Sequence, residues 1–344
     1  MSQKSLCLDK KCGDYVVLDM PIWKPGPGEV LIKVMATSLN PVDWKIRKYG
    51  FFLEEFPAIL GTDIAGIVEE LGDGVVEWTK GDRVFTQGQF NNPGASFQQY
   101  ATAFASTLAR IPQGMTFEEA STLPVALTAA YTGLYQVSPN GFGLTPPTSP
   151  STEGIYKATP LVVLGGSSSV GQLVIQLARI SGFSPIITTA SLDNTDYLKT
   201  LGATHVLDRE FDMSRLKLSL NVLLGDTAVQ LVFDSIGSDA TQRLGLHVLD
   251  EGGKLVVTMP ALVEPTEGKS VNEVYGILRL LHNIELLETL YHDTLTGFLE
   301  KGLLKVNAVE ILPGGLAGIP AGLDRMENSQ VSKLKLVVLP QDTL

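Results

Sequence analysis

From about residue 160 onward, apolar residues switch between two periodicities. Leu161-Val162-Val163-Leu164 is a continuous apolar run of buried-strand length. After a Gly/Ser break, Val170, Leu173, Val174, Leu177 and Ala178 recur at helical spacing, so one helix stripe faces a sheet. The alternation then repeats. Pro185–Ala190 reads as a second strand, Asp196–Leu201 as a helix and His205–Leu207 as a third strand. Gln230–Asp234 and Lys254–Thr258 are strands on either side of the helical stretch Ala240–Val248. Strands alternating with helices predict right-handed βαβ units, and hence an α/β fold built on a doubly wound parallel sheet.

The chain before about Leu108 has a different rhythm. Val30–Ala36, Ile64–Gly72 and Gly81–Phe85 are strand signals punctuated by glycine and proline at short intervals. That pattern predicts a mostly antiparallel, partly barrel-like β domain. Ser138–Pro160 carries prolines 139, 146, 147, 150 and 160 among Gly, Ser and Thr, which reads as a long surface loop. It either borders the active-site cleft or a subunit contact, or is an insertion with no role. Val271–His282 and Ile284–Leu299 have helical periodicity. Val306–Leu312, a turn at Pro313-Gly314-Gly315, a helix over Ala321–Glu327 and a strand over Leu334–Leu339 close the chain.

At 344 residues, two domains are expected. The 44% hydrophobic content supplies sizeable cores, and no apolar run is long enough to span a bilayer. Two cysteines, Cys7 and Cys12, make no disulfide framework and suit a reducing compartment. The residues near the start lack a signal-peptide apolar region, so a cytoplasmic location is expected. A net charge of −11 argues against nucleic acid or an anionic membrane as partner.

The break after Leu164 carries the chemistry. Strand, small-residue turn and helix form the corner at which dinucleotide folds receive a pyrophosphate, whose charge meets the free N–H groups of the helix N-terminus. The candidate residues are Gly165, Gly166, Ser167, Ser168, Ser169, Val170 and Gly171, spaced G-x-x-S-x-x-G with serine at the middle position. Twenty residues beyond Gly171, where an acidic side chain selects NAD, stands Ser191, whose hydroxyl can donate to a 2′-phosphate. Asp193, two residues on, could instead bond the ribose hydroxyls of NAD. Arg209, after the third strand, can supply a positive charge, and Lys199 is a weaker candidate.

Further motifs narrow the reading. Pro25-Gly26-Pro27-Gly28-Glu29-Val30, Asn40-Pro41-Val42-Asp43, Gly61-Thr62-Asp63-Ile64-Ala65-Gly66 and Gly81-Asp82-Arg83-Val84 together resemble the medium-chain dehydrogenase/reductase superfamily. Within it they are similar to the zinc-free quinone oxidoreductase and enoyl reductase branch. Gly165–Gly171 and Gly314-Gly315-Leu316 resemble the fungal zinc-binding-dehydrogenase-like proteins and trans-acting enoyl reductases. The resemblance implies a discontinuous GroES-like catalytic domain, residues 1–127 and 272–344, around an NADPH-binding Rossmann domain, residues 128–271. Glu118–Tyr131 resembles the family's linker helix, which would put Thr128 beside the nicotinamide. Asp234-Ser235-Ile236-Gly237 matches a strand-end motif in which Asp234 and Gly237 border the cofactor, with Thr258 and Met259 ending the next strand at the same edge. In the closing motif, Lys333 replaces a glycine.

The resemblance also excludes chemistry. The alcohol dehydrogenase branch has Gly-His-Glu where this chain has Gly61-Thr62-Asp63, and an early cysteine near Asn40–Asp43. Histidines 205, 247, 282 and 292 all fall in the nucleotide domain or beyond, so no metal is expected. The remaining chemistry is hydride delivery from NADPH to a quinone or an α,β-unsaturated carbonyl, with donors stabilising the oxygen that gains charge. By motif position the polar candidates are Asn40, Lys45, Thr128 and Tyr131, Asn40 and Lys45 polarising substrate. Asn40-Pro41-Val42-Asp43 reads equally as a structural turn. A carrier-bound polyketide chain is the alternative substrate. Carrier domains are usually acidic, so the net charge disfavours it unless Lys45, Arg47 and Lys48 form a basic patch. A crystallin-like NADPH-binding protein without turnover also fits. A homodimer through the nucleotide-domain sheet is the family's common arrangement.

Overall fold

The structure, a computed structural model, describes residues 2–266 and 268–344. It divides into two compact units, one of Met1–Val125, Leu287–Lys301 and Val306–Leu344, the other of Ala126–Leu286 and Gly302–Lys305.

In the first unit, β1 (Ser2–Leu8), β2 (Tyr15–Pro21) and β4 (Ala58–Ile59) form a three-stranded sheet ordered β2-β1-β4. Its larger sheet uses β3 (Glu29–Ser38), β5 (Asp63–Leu71), β6 (Arg83–Gln87), β7 (Tyr100–Phe104) and β8 (Ala109–Arg110). The C-terminal strands β15 (Ala308–Ile311) and β16 (Leu334–Val338) complete the order β15-β16-β3-β5-β6-β8, with β7 also on β3. Every pairing is antiparallel except β15 with β16. Between β3 and β5 the register slips at Leu31/Ile32 and Val34/Ala36. Gly66 allows that bulged approach, since a Cβ there would lie 2.1 Å from the Lys33 carbonyl oxygen. Val30, Ile32, Val34, Ile64, Val68 and Val84 alternate inward to make one core.

The second unit is the parallel sheet expected. Its strands are β9 (Leu161–Leu164), β10 (Ile186–Ala190), β11 (His205–Asp208), β12 (Leu231–Asp234), β13 (Lys254–Val257) and β14 (Ser270–Glu273). They run β11-β10-β9-β12-β13-β14, all parallel. Counted within the unit, this is the order 3-2-1-4-5-6 of a dinucleotide sheet, with its switch point between β9 and β12. Val162, Leu164, Val232, Leu255 and Val257 on one face meet Leu216, Leu220, Leu244 and Val248 from the helices Met213–Leu224 and Asp239–Val248.

Four differences from the sequence reading have local causes. Residues 271–282 do not form a helix: Ser270–Glu273 is the sixth strand, and turns follow. The edge of β13 takes that pairing, and Gly276 lies where a Cβ would come within 2.9 Å of Ala129 Cα. The compact unit that holds this strand runs on to Leu286. The expected linker helix breaks into Phe117–Ser121 and Pro124–Tyr135, since Pro124 has no N–H to continue a helix and favours starting one. The Met213–Leu224 helix goes unseen in the pattern because two of its leucine-like positions, Leu218 and Val222, point to solvent, 65% and 77% exposed. Asn40-Pro41-Val42-Asp43 opens a helix, α1 (Pro41–Tyr49), with Asn40 as its cap.

The loop at 138–160 packs on the helix Ser169–Ser181 at its C-terminal end. Gly154 and Tyr156 donate backbone N–H groups to the Ile180 and Ser181 carbonyls at 3.1 and 3.0 Å, and Tyr156 stacks on Phe183 at 4.8 Å. The loop thus caps carbonyls that a helix end leaves without partners. It does so about 20 Å, one 13-residue helix length, from the glycine turn. Tyr156→Ala is expected to cost about 1–2 kcal/mol of stability, lowering the unfolding midpoint. Differential scanning calorimetry checks it.

Candidate active site

The glycine turn of the second unit is built for close backbone approach. Gly165 has φ +80°, and a Cβ there would lie 2.4 Å from the Ile236 side chain. A Cβ on Gly166 would lie 2.1 Å from Thr188 Oγ1, and one on Gly171 2.4 Å from the Gly165 carbonyl oxygen. Ser168 caps the 13-residue helix Ser169–Ser181, its Oγ accepting from the Gly171 N–H at 3.0 Å. The serine at the middle of G-x-x-S-x-x-G therefore holds the turn. The first-turn N–H groups of Ser169 and Val170 have no acceptor within the helix and face the direction from which an anion is received.

Side chains from neighbouring strands fix this turn. Thr189 Oγ1 accepts from the Gly165 N–H at 3.2 Å. Ser235 Oγ donates to the Leu164 and Gly165 carbonyls at 2.6 and 3.0 Å and accepts from Ser168 Oγ at 3.0 Å. Ser235 thus ties the ends of β9 and β12 together at the switch point. Neither Thr189 nor Ser235 stood out as a site residue in the sequence, because hydroxyls at strand ends are common.

The strand-end motif is internally consumed. Asp234 is buried, and its Oδ1 accepts from the Ile236 and Gly237 N–H groups at 2.9 and 3.0 Å while Oδ2 accepts from Thr241 Oγ1 at 2.7 Å. Burial pushes its pKa up, against those three donors. Asp234 shapes the turn, whereas Gly237, at φ +72°, leaves a gap that a Cβ would close against Met259 at 2.5 Å. Thr258 Oγ1 donates to the Asp234 carbonyl at 3.2 Å. On the other side of the sheet, the Arg209 N–H donates to the Ala190 carbonyl at 3.0 Å. The fold thereby brings Arg209 to the same strand-end edge as Ser191. Ser191 Oγ lies 3.5 Å from Asp193 Oδ2, and the exposed Arg209 guanidinium lies 3.1 Å from Glu210.

Thr128 and Tyr131 lie on the helix Pro124–Tyr135 and are fully buried. The Tyr131 hydroxyl has no partner among the described residues, and burial drives its pKa up, so it is a held proton rather than a base. Its ring packs on Tyr135 at 4.5 Å.

In the first unit a buried polar cluster forms around Asp63, which the sequence reading placed in the Gly61–Gly66 motif and at the position of the zinc branch's Gly-His-Glu without assigning it a role. Lys335, 3% exposed, donates from Nζ to Asp63 Oδ2 at 2.8 Å, Asn40 Oδ1 at 2.6 Å and the Leu39 carbonyl at 3.2 Å. Asn40 Nδ2 and Ser38 Oγ also donate to Asp63 Oδ2, the former at 2.7 Å. Asp63 Oδ1 accepts from the Val125 N–H at 2.7 Å. Both amide atoms of Asn40 are engaged inside this cluster, and its N–H is taken by Asp43 Oδ2 at 2.8 Å. The signal was legible: Lys335 is a charge inside the apolar run Leu334–Val338.

Lys45 is half-buried on α1, its Nζ 5.5 Å above the Trp44 ring, and burial lowers its pKa. Arg47 pairs with Asp14 at 3.3 Å and Asp324 at 3.9 Å, and Lys48 with Glu327 at 2.7 Å. Those carboxylates pair with two of the three cations of the candidate patch Lys45, Arg47 and Lys48.

These features match known families. Residues 26–123 match the alcohol dehydrogenase GroES-like domain and residues 169–278 the zinc-binding dehydrogenase domain. The trans-enoyl reductase himH of Aspergillus japonicus is 32% identical over 90% of this chain and 89% of its own. A zinc-type alcohol dehydrogenase-like protein of Schizosaccharomyces pombe is 29% identical over 97% of this chain and 99% of its own. Among solved structures, mycobacterial Rv1454c complexed with NADPH superposes with a TM-score of 0.79 at 23% identity, covering 99% and 100% of the two chains. A Pseudomonas syringae quinone oxidoreductase gives 0.78 at 21%, covering 98% and 100%. The chain belongs to the medium-chain dehydrogenase/reductase superfamily of oxidoreductases. Among the described residues, no helix is long and apolar enough to cross a membrane.

The zinc in one of those family names finds no fitting donor set. Zinc takes Cys, His or carboxylate ligands in a tetrahedral arrangement. Among the described residues no three His, Cys, Asp or Glu are grouped to hold a metal, and the carboxylate of Asp63 already faces the Lys335 ammonium.

Asp43 gives this unit a pH signature. Burial, opposed by the Asn40 N–H and reinforced by Asp63, pushes its pKa from 3.8 up to about 7. The folded state therefore holds a proton that the unfolded chain releases at lower pH. The resulting stabilisation is present below pH 4 and lost as pH rises through about 7. Asp43→Asn keeps an acceptor without the charge. Its unfolding midpoint relative to the wild type is expected to be several degrees higher at pH 8 than at pH 5, measured by thermal melts at both pH values.

Proposed function

We propose that this protein is an NADPH-dependent, zinc-independent reductase of quinones or α,β-unsaturated carbonyls. The observation that carries the reading is the glycine turn at the switch point of a 3-2-1-4-5-6 sheet, with Ser191 and Arg209 at the same strand-end edge. When bound, NADPH supplies a hydride for an electron-poor carbon.

This chain's residues do the rest by holding and by donating. The turn Gly165–Gly171 receives the pyrophosphate on free N–H groups of the following helix, with Thr189 and Ser235 keeping it in shape. Ser191 and Arg209 favour a 2′-phosphate by donation and by charge, while Asp193 and Glu210, the carboxylate paired with Arg209, oppose it. Gly237, Thr258 and Met259 border the cofactor, and Asp234 maintains the turn that carries Gly237. Thr128 and Tyr131 serve the nicotinamide end. The Tyr131 hydroxyl, kept protonated by burial, can donate to an oxygen that gains negative charge. Asn40 contributes through the Asp63 cluster, and Lys45, with its lowered pKa, can pass a proton through water. The residues 1–125 and 287–344 would bind the acceptor. β14, whose one strand neighbour among the described residues is β13, offers the edge along which a homodimer would extend the sheet.

A narrower reading is reduction of an enoyl chain held on a carrier protein. It is favoured by relatives named as trans-enoyl reductases, himH at 32% identity and ACTTS2 of Alternaria alternata at 30%. The pairing of Arg47 and Lys48 on α1 argues against that helix as the acidic carrier's dock.

Purified protein is expected to oxidise NADPH in preference to NADH with a quinone, an enone or an enoyl thioester from a panel of each. Activity confined to carrier-bound thioesters would select the narrower reading. Preference for NADH would put Asp193 on the ribose and overturn the cofactor assignment, and cofactor binding with no turnover would leave a crystallin-like binding protein. Arg209→Ala is expected to raise the KM for NADPH about tenfold, equivalent to about 1.4 kcal/mol, with the KM for NADH unchanged. Steady-state kinetics with both cofactors checks it.

A further inference from the structure

The chain leaves the first unit at Val125, within the first turn of the helix Pro124–Tyr135. The residues leading to that point are gripped by side chains of the first unit. Ser38 Oγ, its one proton shared with Asp63 Oδ2, lies 2.9 Å from the Ser121 carbonyl oxygen, Asn307 Nδ2 donates to the Thr122 carbonyl at 3.1 Å and the Tyr291 hydroxyl to the Pro124 carbonyl at 3.0 Å. The fourth grip is the Asp63 carboxylate on the Val125 N–H, at 2.7 Å. It alone is charged, and it meets the positive end of the helix dipole with a first-turn N–H that has no intrahelical acceptor.

The Asp63 carboxylate, at 0% exposure, lies 2.8 Å from the Lys335 ammonium, so each buried charge has a partner of opposite sign. The ammonium uses all its donors on Asp63, Asn40 and the Leu39 carbonyl, so it fixes the carboxylate in position as well as in charge.

We infer that Asp63 and Lys335 are a positioning pair of the reaction, holding the start of the helix that carries Thr128 and Tyr131. The inference rests on the reductase reading for its link to turnover. Thr128 and Tyr131 lie three and six residues beyond Val125, about one and two turns along a rigid helix. A loosened first turn therefore disturbs the chemical step. NADPH affinity is set largely at the glycine turn and is left alone.

Two double variants separate positioning from mere stability. Asp63→Asn with Lys335→Met removes the charges but keeps an acceptor for the Val125 N–H. Asp63→Leu with Lys335→Met removes the acceptor as well. The first, which keeps the acceptor but loses the Lys335 clamp, is expected to lose about threefold in kcat. The second is expected to lose at least tenfold in kcat, with the Kd for NADPH unchanged and faster hydrogen exchange over residues 122–128. Equal kcat and equal exchange in the two variants would overturn the inference. Exchange of the Val125 amide in the wild type is the measurement that needs no variant. First-turn amides ordinarily exchange freely, so protection of at least a hundredfold is expected, and an unprotected Val125 amide would also overturn it. A wild type with a protected Val125 amide but no turnover against any acceptor would sink the reductase reading and, with it, the pair's link to the reaction.

Discussion

A buried ammonium is the constraint on which the first unit depends. Removing a charge from water costs several kcal/mol unless a partner of opposite sign and a full set of acceptors replace the solvent. Lys335 finds all of these in one place, and they come from segments far apart in the chain: Leu39 and Asn40 after β3, and Asp63 at the start of β5. Satisfying it requires that β16 return from the C-terminal region to pair with β3, which it does through Val337 and Val338. The discontinuity of this unit is the topological form of that requirement. Breaking the pair on one side would strand the other charge, so the arrangement is specific even where its net contribution to stability is small.

The second unit answers to a different constraint, which is room. Three glycines in the turn stand where any side chain would collide with Ile236, Thr188 or the Gly165 carbonyl. Hydroxyls from Thr189, Ser168 and Ser235 then hold the space that those glycines leave. The outcome is a rigid backbone cradle of N–H groups at the carboxyl end of a parallel sheet, where a ligand anion meets donors that are already oriented. The two units thus divide the labour: one offers a shaped backbone for a cofactor, the other a charge-locked polar cluster.

Legibility in the sequence followed the range of the interactions. The strands β9 to β13, the glycine turn and its helix could be read because they rest on periodicity and on adjacent residues. The sixth strand could not. Val271 to Leu281 carries a helical apolar pattern, and only the unpaired edge of β13 and the tight passage of Gly276 past Ala129 make its beginning a strand. The break at Thr122-Leu123 was present in Pro124, yet the apolar stripe running through it concealed it. The meaning of Asn40 changed most. By itself Asn-Pro is a turn or a substrate contact, but Lys335, 295 residues away, turns it into a member of a buried cluster.

The sequence by itself determined the fold class, the superfamily and the place of the dinucleotide turn, since local spacing and short motifs carry those. Only the tertiary structure decided what the charged side chains do. It set Asp63 against Lys335, neutralised Arg47 and Lys48 with Asp14, Asp324 and Glu327, turned Asp234 inward, and brought Arg209 to the edge that holds Ser191. The reason is physical: an apolar residue declares its burial by its period, whereas the role of a charge depends on which partner the fold brings within about 3 Å.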